Sequence, residues 1–110
     1  FWNTWCSPCR AAIRANEPLK EGTLKSDELV WIYIANETSP LTTYSTMIPG
    51  IRGLHYRLDE TRWRYLCDER FDIDGIPSYV VVDRRGEAAL RNDLRDHDTL
   101  ARTLKTMLAE

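Results

Sequence analysis

Two hydrophobic periodicities alternate along this chain, and together they predict an α/β domain. Leu29 to Ala35 (Leu-Val-Trp-Ile-Tyr-Ile-Ala) is a continuous apolar run rich in strand-forming residues, the pattern of a strand buried on both faces. Ser78 to Asp83 repeats that signal, Arg84-Arg85-Gly86 reads as a turn, and Glu87 to Arg91 returns as an antiparallel partner. His55 to Leu58 is a shorter strand, and Phe1-Trp2-Asn3 reads as the last residues of a strand whose beginning is absent.

Between these runs the period lengthens to that of a helix. From Cys6 the chain carries Ala11, Ala12, Ile13, Ala15 and Leu19, with Pro8 tolerated in the first turn. Pro18 is expected to kink or end that helix, and Gly22 to stop it. Ser39-Pro40 offers an N-cap and a first-turn proline to a short helix with Leu41, Tyr44, Met47 and Ile48, closed by Pro49-Gly50. Asp59 caps a helix bearing Trp63, Leu66 and Cys67, and Asp96 or Asp98 opens a last one with Leu100, Leu104, Met107 and Leu108 along one face. The expected order is strand, helix, strand, helix, short strand, helix, strand, strand, helix. Setting aside the central helix and short strand leaves βαβ–α–ββα, one mixed central sheet flanked by helices, with a central α/β insertion and a truncated first strand.

Composition narrows this picture little. A chain of 110 residues with 43% hydrophobic and 29% charged residues is sized and balanced for a single globular domain, 1–110. The net charge of −2 gives no electrostatic case for nucleic acid or an anionic membrane. No apolar run approaches the roughly 20 residues that span a bilayer. The chain opens on Phe1-Trp2 without an initiator Met, and reads as the C-terminal part of something longer.

The chemistry lies in the cysteines. Three are too few for a disulfide framework, and Cys6 and Cys9 are separated by two residues at the start of a predicted helix. Unpaired N–H groups and the positive end of the helix dipole favour a thiolate there. Placement of this kind lowers a thiol pKa from about 8.5 to roughly 3.5–7.5. Cys6 is then the nucleophile toward a partner disulfide, and Cys9, inside the helix, resolves the mixed disulfide. Pro8 stiffens the turn, and the Ser7 hydroxyl is placed to hydrogen-bond a sulfur. The pair alone is ambiguous. It is also half of a zinc site or part of a copper-delivery site, yet the remaining ligand candidates, Cys67, His55 and His97, are scattered singly. Gly75-Ile76-Pro77-Ser78 leads into the second strong strand, where a proline marks a turn or strand entry.

Phe1-Trp2-Asn3-Thr4-Trp5-Cys6-Ser7-Pro8-Cys9-Arg10 resembles the active-site segment of the thioredoxin superfamily. Gly75-Ile76-Pro77-Ser78-Tyr79 is similar to its cis-proline segment, and Val82-Asp83-Arg84-Arg85-Gly86 to the hairpin that follows. Gly53-Leu54-His55-Tyr56-Arg57-Leu58 resembles the central insertion of TlpA/ResA-like thiol–disulfide oxidoreductases, especially forms common in Bacteroidetes. The resemblance implies a thioredoxin-like fold with a cis Ile76–Pro77 bond against a redox-active Cys6–Cys9 disulfide. Ile76 and Pro77 would present a backbone edge to the partner and keep metal from the thiols, with Trp5 as lid and contact surface. No further cofactor and no metal are implied. The partners would be protein thiols and disulfides, as substrate and electron donor, in an extracytoplasmic compartment. Membrane association would come only through an anchor outside this chain.

Three departures accompany the resemblance. Ala12 stands where relatives often carry a proton-transferring carboxylate, and neither Glu17 nor Asp83 is placed near Cys9 by the sequence. The strand entering the active site is present only at its end, leaving a sheet centre for the parent protein or another chain to fill. Pro18 lies further along its helix than the usual kink. The remaining candidates have plainer readings. Cys67 is a buried small hydrophobe; His55 is a strand residue; His97 is a solvated helix start; Trp31, Tyr33 and Tyr79 pack. Arg10 occupies the solvent side of its helix.

Overall fold

The longest helix begins where the first cysteine ends the strand-like N-terminus. In the computed structural model, which describes residues 1–110, α1 spans Ser7–Glu21, with Cys6 as its N-cap and Pro8 in the first turn. Of the kink or end expected at Pro18, the end does not occur: the helix runs through the proline and stops before Gly22. The hydrogen bond that proline cannot donate falls on the face carrying Arg14 and Pro18, both exposed, where water can replace it. Beyond Pro18 the helix is anchored from inside. Lys20 Nζ donates to the Tyr33 hydroxyl and the Arg52 carbonyl, each at 2.6 Å, and pairs with Glu17. The Gly22 N–H bonds Leu19 O at 3.2 Å and closes the helix.

β1 (Ile32–Asn36) and β2 (Leu54–Leu58) pair in parallel, Ile32 opposite Leu54 and Asn36 opposite Leu58. The crossover between them holds α2 (Leu41–Met47) and a 3₁₀ turn, Ile48–Gly50. Gly53 enters β2 at φ +142°, where an added Cβ would lie 2.6 Å from the Trp31 carbonyl oxygen, so only glycine fits this approach. α3 (Glu60–Arg64) starts at Asp59, whose carboxylate accepts the Arg62 N–H at 2.9 Å, and then widens into a π turn over Tyr65–Arg70. β3 (Val80–Val82) and β4 (Ala88–Leu90) form an antiparallel hairpin. Its turn is fixed by Asp83, which accepts the N–H groups of Arg85 and Glu87, and by Gly86 at φ +83°. α4 (His97–Leu108) is capped by Asp96 through the Thr99 N–H. No helix is long and apolar enough to cross a membrane.

The single mixed sheet expected from the sequence is instead two two-stranded sheets, β1–β2 and β3–β4. Only the N-terminal residues bridge them. The Trp2 N–H bonds Ile34 O at 2.9 Å, while Phe1 and Ser78 exchange a pair of bonds at 3.0 and 3.4 Å. The stub therefore runs alongside β1 on one side and antiparallel to the β3 approach on the other. A groove of about 640 Å³ lies between the two sheets. Leu29 to Ile34 and Tyr79 to Val82 form its walls, and the inner face of α1 at Cys9, Ile13 and Asn16 closes one end.

This groove corrects the expectation for Leu29 to Ala35. β1 starts only at Ile32, and Val30 and Ile32 are 61% and 54% exposed rather than buried on both faces. Packing is accordingly divided. Trp2, Cys6, Cys9, Ala35, Tyr44 and Ile51 form one buried cluster, and Leu24, Leu94 and Leu100 a second.

Ser39 is a further correction. α2 has Pro40 as N-cap and no side-chain cap, because the Ser39 hydroxyl is engaged elsewhere. Its partners are the Thr4 N–H and Asn3 Oδ1.

Candidate functional site

Helix α1 places the two cysteines one turn apart at its N-terminus, and they are disulfide-bonded with Cα atoms 5.2 Å apart. The Cys9 N–H points at Cys6 Sγ at 3.3 Å, so the sulfur occupies the position of an N-cap acceptor. That geometry stabilises negative charge on Cys6 Sγ once the bond is reduced. Cys9 is fully buried, whereas Cys6 retains 5% of its surface. Ser7 and Pro8 are exposed in the first turn. The Ser7 hydroxyl makes no hydrogen bond to either sulfur, contrary to expectation. As the first helical residue it points to solvent, and the donor at Cys6 is the Cys9 backbone.

The Ile76–Pro77 segment faces this pair across the fold. Its peptide bond is cis, and the Ile76 carbonyl oxygen stands 3.9 Å from Cys6 Sγ. The loop is held from three sides. Arg95 Nε donates to Pro77 O at 2.7 Å, Ser78 Oγ donates to Gly75 O, and Asn92 Nδ2 reaches Ser78 Oγ at 3.2 Å. Asn92 Oδ1 also accepts the Tyr79 N–H at 2.9 Å, which ties the loop to the start of β3. Trp5, expected as a lid, is 59% exposed, and its indole N–H donates to Thr38 Oγ1 at 2.9 Å.

Sequence reasoning missed the polar layer beneath Trp5. Asn3, Thr4, Asn36 and Ser39 are all buried. Asn3 Oδ1 accepts from the Asn36 N–H at 3.0 Å and from Ser39 Oγ at 2.7 Å, while Ser39 Oγ accepts the Thr4 N–H at 3.0 Å. The visible signal is Asn36-Glu37-Thr38-Ser39, four hydrogen-bonding residues between a strand and a proline. Arg10, read as a solvent-side residue, is half-buried, and its guanidinium donates to Thr4 O at 2.8 Å.

Neither carboxylate considered for proton transfer is at the sulfurs. Glu17 pairs with Lys20 and accepts the Arg52 N–H at 3.2 Å, and Asp83 is spent on the hairpin turn. The histidines are also engaged apart from the cysteines. His55 Nε2 contacts Ile51 O at 2.7 Å and its ring stacks on Tyr33, while the exposed His97 contacts Asn16 Oδ1 at 3.0 Å. No three His, Cys, Asp or Glu side chains converge as a ligand set.

Cys67 is free, 5% exposed, and set in the π turn. Burial pushes its thiol pKa up, and neighbouring Asp68 adds to that shift. In the folded, oxidised protein Cys67 is expected to react with iodoacetamide at pH 8 at least about tenfold more slowly than in urea. Labelling at the unfolded rate would contradict its burial.

Comparison of the chain with models of known protein families, with curated proteins and with solved structures finds no match.

Proposed function

We propose that the protein is a thiol–disulfide oxidoreductase of the TlpA/ResA-like branch of the thioredoxin superfamily, reducing protein disulfides through the Cys6–Cys9 dithiol. The observation that carries this reading is the cysteine pair itself. One sulfur sits at a helix N-terminus within reach of the Cys9 N–H, and the other is buried one turn inside. The same pair abuts a loop whose Ile76 carbonyl faces Cys6.

Reduced Cys6, as thiolate, attacks one sulfur of a client disulfide. A new Cys6–client S–S bond forms, the client S–S bond breaks, and its second sulfur leaves as a thiolate that takes up a proton. Cys9 then loses its proton and attacks Cys6 Sγ, closing the Cys6–Cys9 disulfide and releasing the remaining client thiol. Two electrons and two protons pass from the dithiol to the client, and a thiol donor must return them. Protein thiols and disulfides are thus both substrate and donor, and no other cofactor is needed. Trp5, Ile76 and Pro77 form the rim against which a client backbone would lie, with Ser7 and Pro8 shaping the turn. By the same family resemblance we place the protein outside the cytoplasm.

The test is reduction of insulin disulfides in dithiothreitol, followed by precipitation of the released chain. Catalytic amounts of the protein are expected to accelerate precipitation at least about tenfold over dithiothreitol alone. No acceleration, together with stoichiometric zinc or copper in the purified reduced protein, would replace this reading with a metal-binding module.

A further inference from the structure

We propose that the loop Asn36–Ser39, keyed to the cysteine segment by Asn3, is a positioning element that fixes the Trp5 indole, adjacent to Cys6 in sequence, for docking of protein disulfides. This rests on the reading of the cysteine pair as a thiol–disulfide centre, and it adds residues outside the redox motif.

The hydrogen bonds run in one consistent direction from the buried layer to the surface. Asn3 is 1% exposed and its Oδ1 takes both the Asn36 N–H and the Ser39 hydroxyl. Asn36 Oδ1 in turn takes the N–H and the hydroxyl of Thr38. With its only proton given to Asn36, the Thr38 hydroxyl is left as an acceptor, and it accepts the Trp5 indole N–H at 2.9 Å. Arg57 locks the loop from β2, donating to Ser39 O at 2.9 Å and Glu37 O at 3.2 Å.

An indole exposed to 59% has little packing to fix its angle, so the bond at its nitrogen carries that task. Asn3 Oδ1, Asn36 Oδ1 and the Ser39 hydroxyl each hold two partners, which restricts the arrangements open to the loop. Thr38 therefore has one orientation, and Trp5, immediately before Cys6, inherits it. Thr38 and Asn3 are positioning residues. They act on the reaction through Trp5 and touch neither sulfur.

The experiment compares wild type, Thr38→Val, Thr38→Ser and Asn3→Ala. Thr38 is exposed, so its variants are expected to fold; circular dichroism checks Asn3→Ala. Hydrogen exchange of the Trp5 indole N–H, read by NMR, is expected to quicken about three- to tenfold in Thr38→Val and Asn3→Ala and to stay near wild type in Thr38→Ser. The rate of each reduced protein is then measured with insulin and with 2-hydroxyethyl disulfide. In Thr38→Val the rate with insulin should fall at least about threefold more than with the small disulfide. Equal loss with both disulfides would place the effect on the thiolate and overturn the inference, as would unchanged indole exchange in Thr38→Val. Should wild type reduce neither disulfide, the redox reading itself fails. Indole exchange then decides the positioning role alone: quickened only without the hydroxyl, it stands; unchanged, it falls.

Discussion

Cys9→Ser protein, reduced and mixed with a disulfide client, is expected to accumulate as a covalent mixed disulfide through Cys6, while steady-state insulin reduction falls on the order of 10³-fold or more. The buried position of Cys9 is the reason. In the mixed disulfide the attacking group must reach Cys6 Sγ from the protein interior, and Cys9 is the residue one turn inside, with its Cα 5.2 Å from that of Cys6. Serine keeps the shape but is not nucleophilic enough to break an S–S bond. Cys6→Ser should lose turnover to the same degree without trapping any client, because Cys9 has no exposed surface from which to attack. Non-reducing electrophoresis and mass spectrometry separate the two variants. Trapping by Cys6→Ser, or turnover in Cys9→Ser above about a tenth of wild type, would reverse the assigned roles.

Lys20→Met is expected to destabilise the fold by about 3 kcal/mol, the largest effect away from the cysteines. The Lys20 side chain is 5% exposed, yet its ammonium meets Glu17, the Tyr33 hydroxyl and the Arg52 carbonyl, and lies 4.9 and 4.7 Å from the Trp31 and Tyr33 ring centres. Burial lowers its pKa, and the bond to Glu17 opposes that shift, so the charge is kept by its partners. Methionine fills the space but leaves the Glu17 carboxylate and the Arg52 carbonyl without their shared donor. Glu17 is 21% exposed and can be partly rehydrated, which holds the cost near the lower end for a broken buried pair. In Lys20→Met/Glu17→Gln at least about 1 kcal/mol should return, because the uncompensated charge is gone. Urea unfolding at pH 7 measures both, and a loss below about 0.5 kcal/mol in the single variant would show that the cluster adds nothing.

Local signals carried most of the secondary structure. Asp59 caps its helix as expected, Asp96 rather than Asp98 caps the last one, and Arg84-Arg85-Gly86 turns the hairpin. These rules act within four residues of sequence. Distant groups decide the outcome where α1 continues past Pro18 and where Ser39 leaves α2 uncapped. Lys20 holds α1 together beyond the proline, and the hydroxyl expected to cap α2 is drawn 35 and 36 residues away to Thr4 and Asn3.

Leu29 to Ala35 has the composition of a strand buried on both faces, but the exposure of Val30 and Ile32 depends on what packs against each face, and composition does not state that. In the site, Cys6, Cys9 and Trp5 were legible because their chemistry or their neighbours in sequence mark them. The Asn3–Ser39 and Thr38–Trp5 contacts were not, since they join segments 33 to 36 residues apart through side chains with no periodic signature.

The most direct measurement is a redox titration of the Cys6–Cys9 couple against a thiol buffer, followed by the fluorescence of Trp2 and Trp5. A single reversible transition with a two-electron slope, about 30 mV per tenfold change in ratio, is expected, with a midpoint near or below roughly −270 mV. A midpoint closer to about −120 mV would keep the dithiol chemistry and reverse its direction to oxidation. Folded protein with no reversible transition at any buffer ratio would contradict the assignment of Cys6 and Cys9 as a working redox pair.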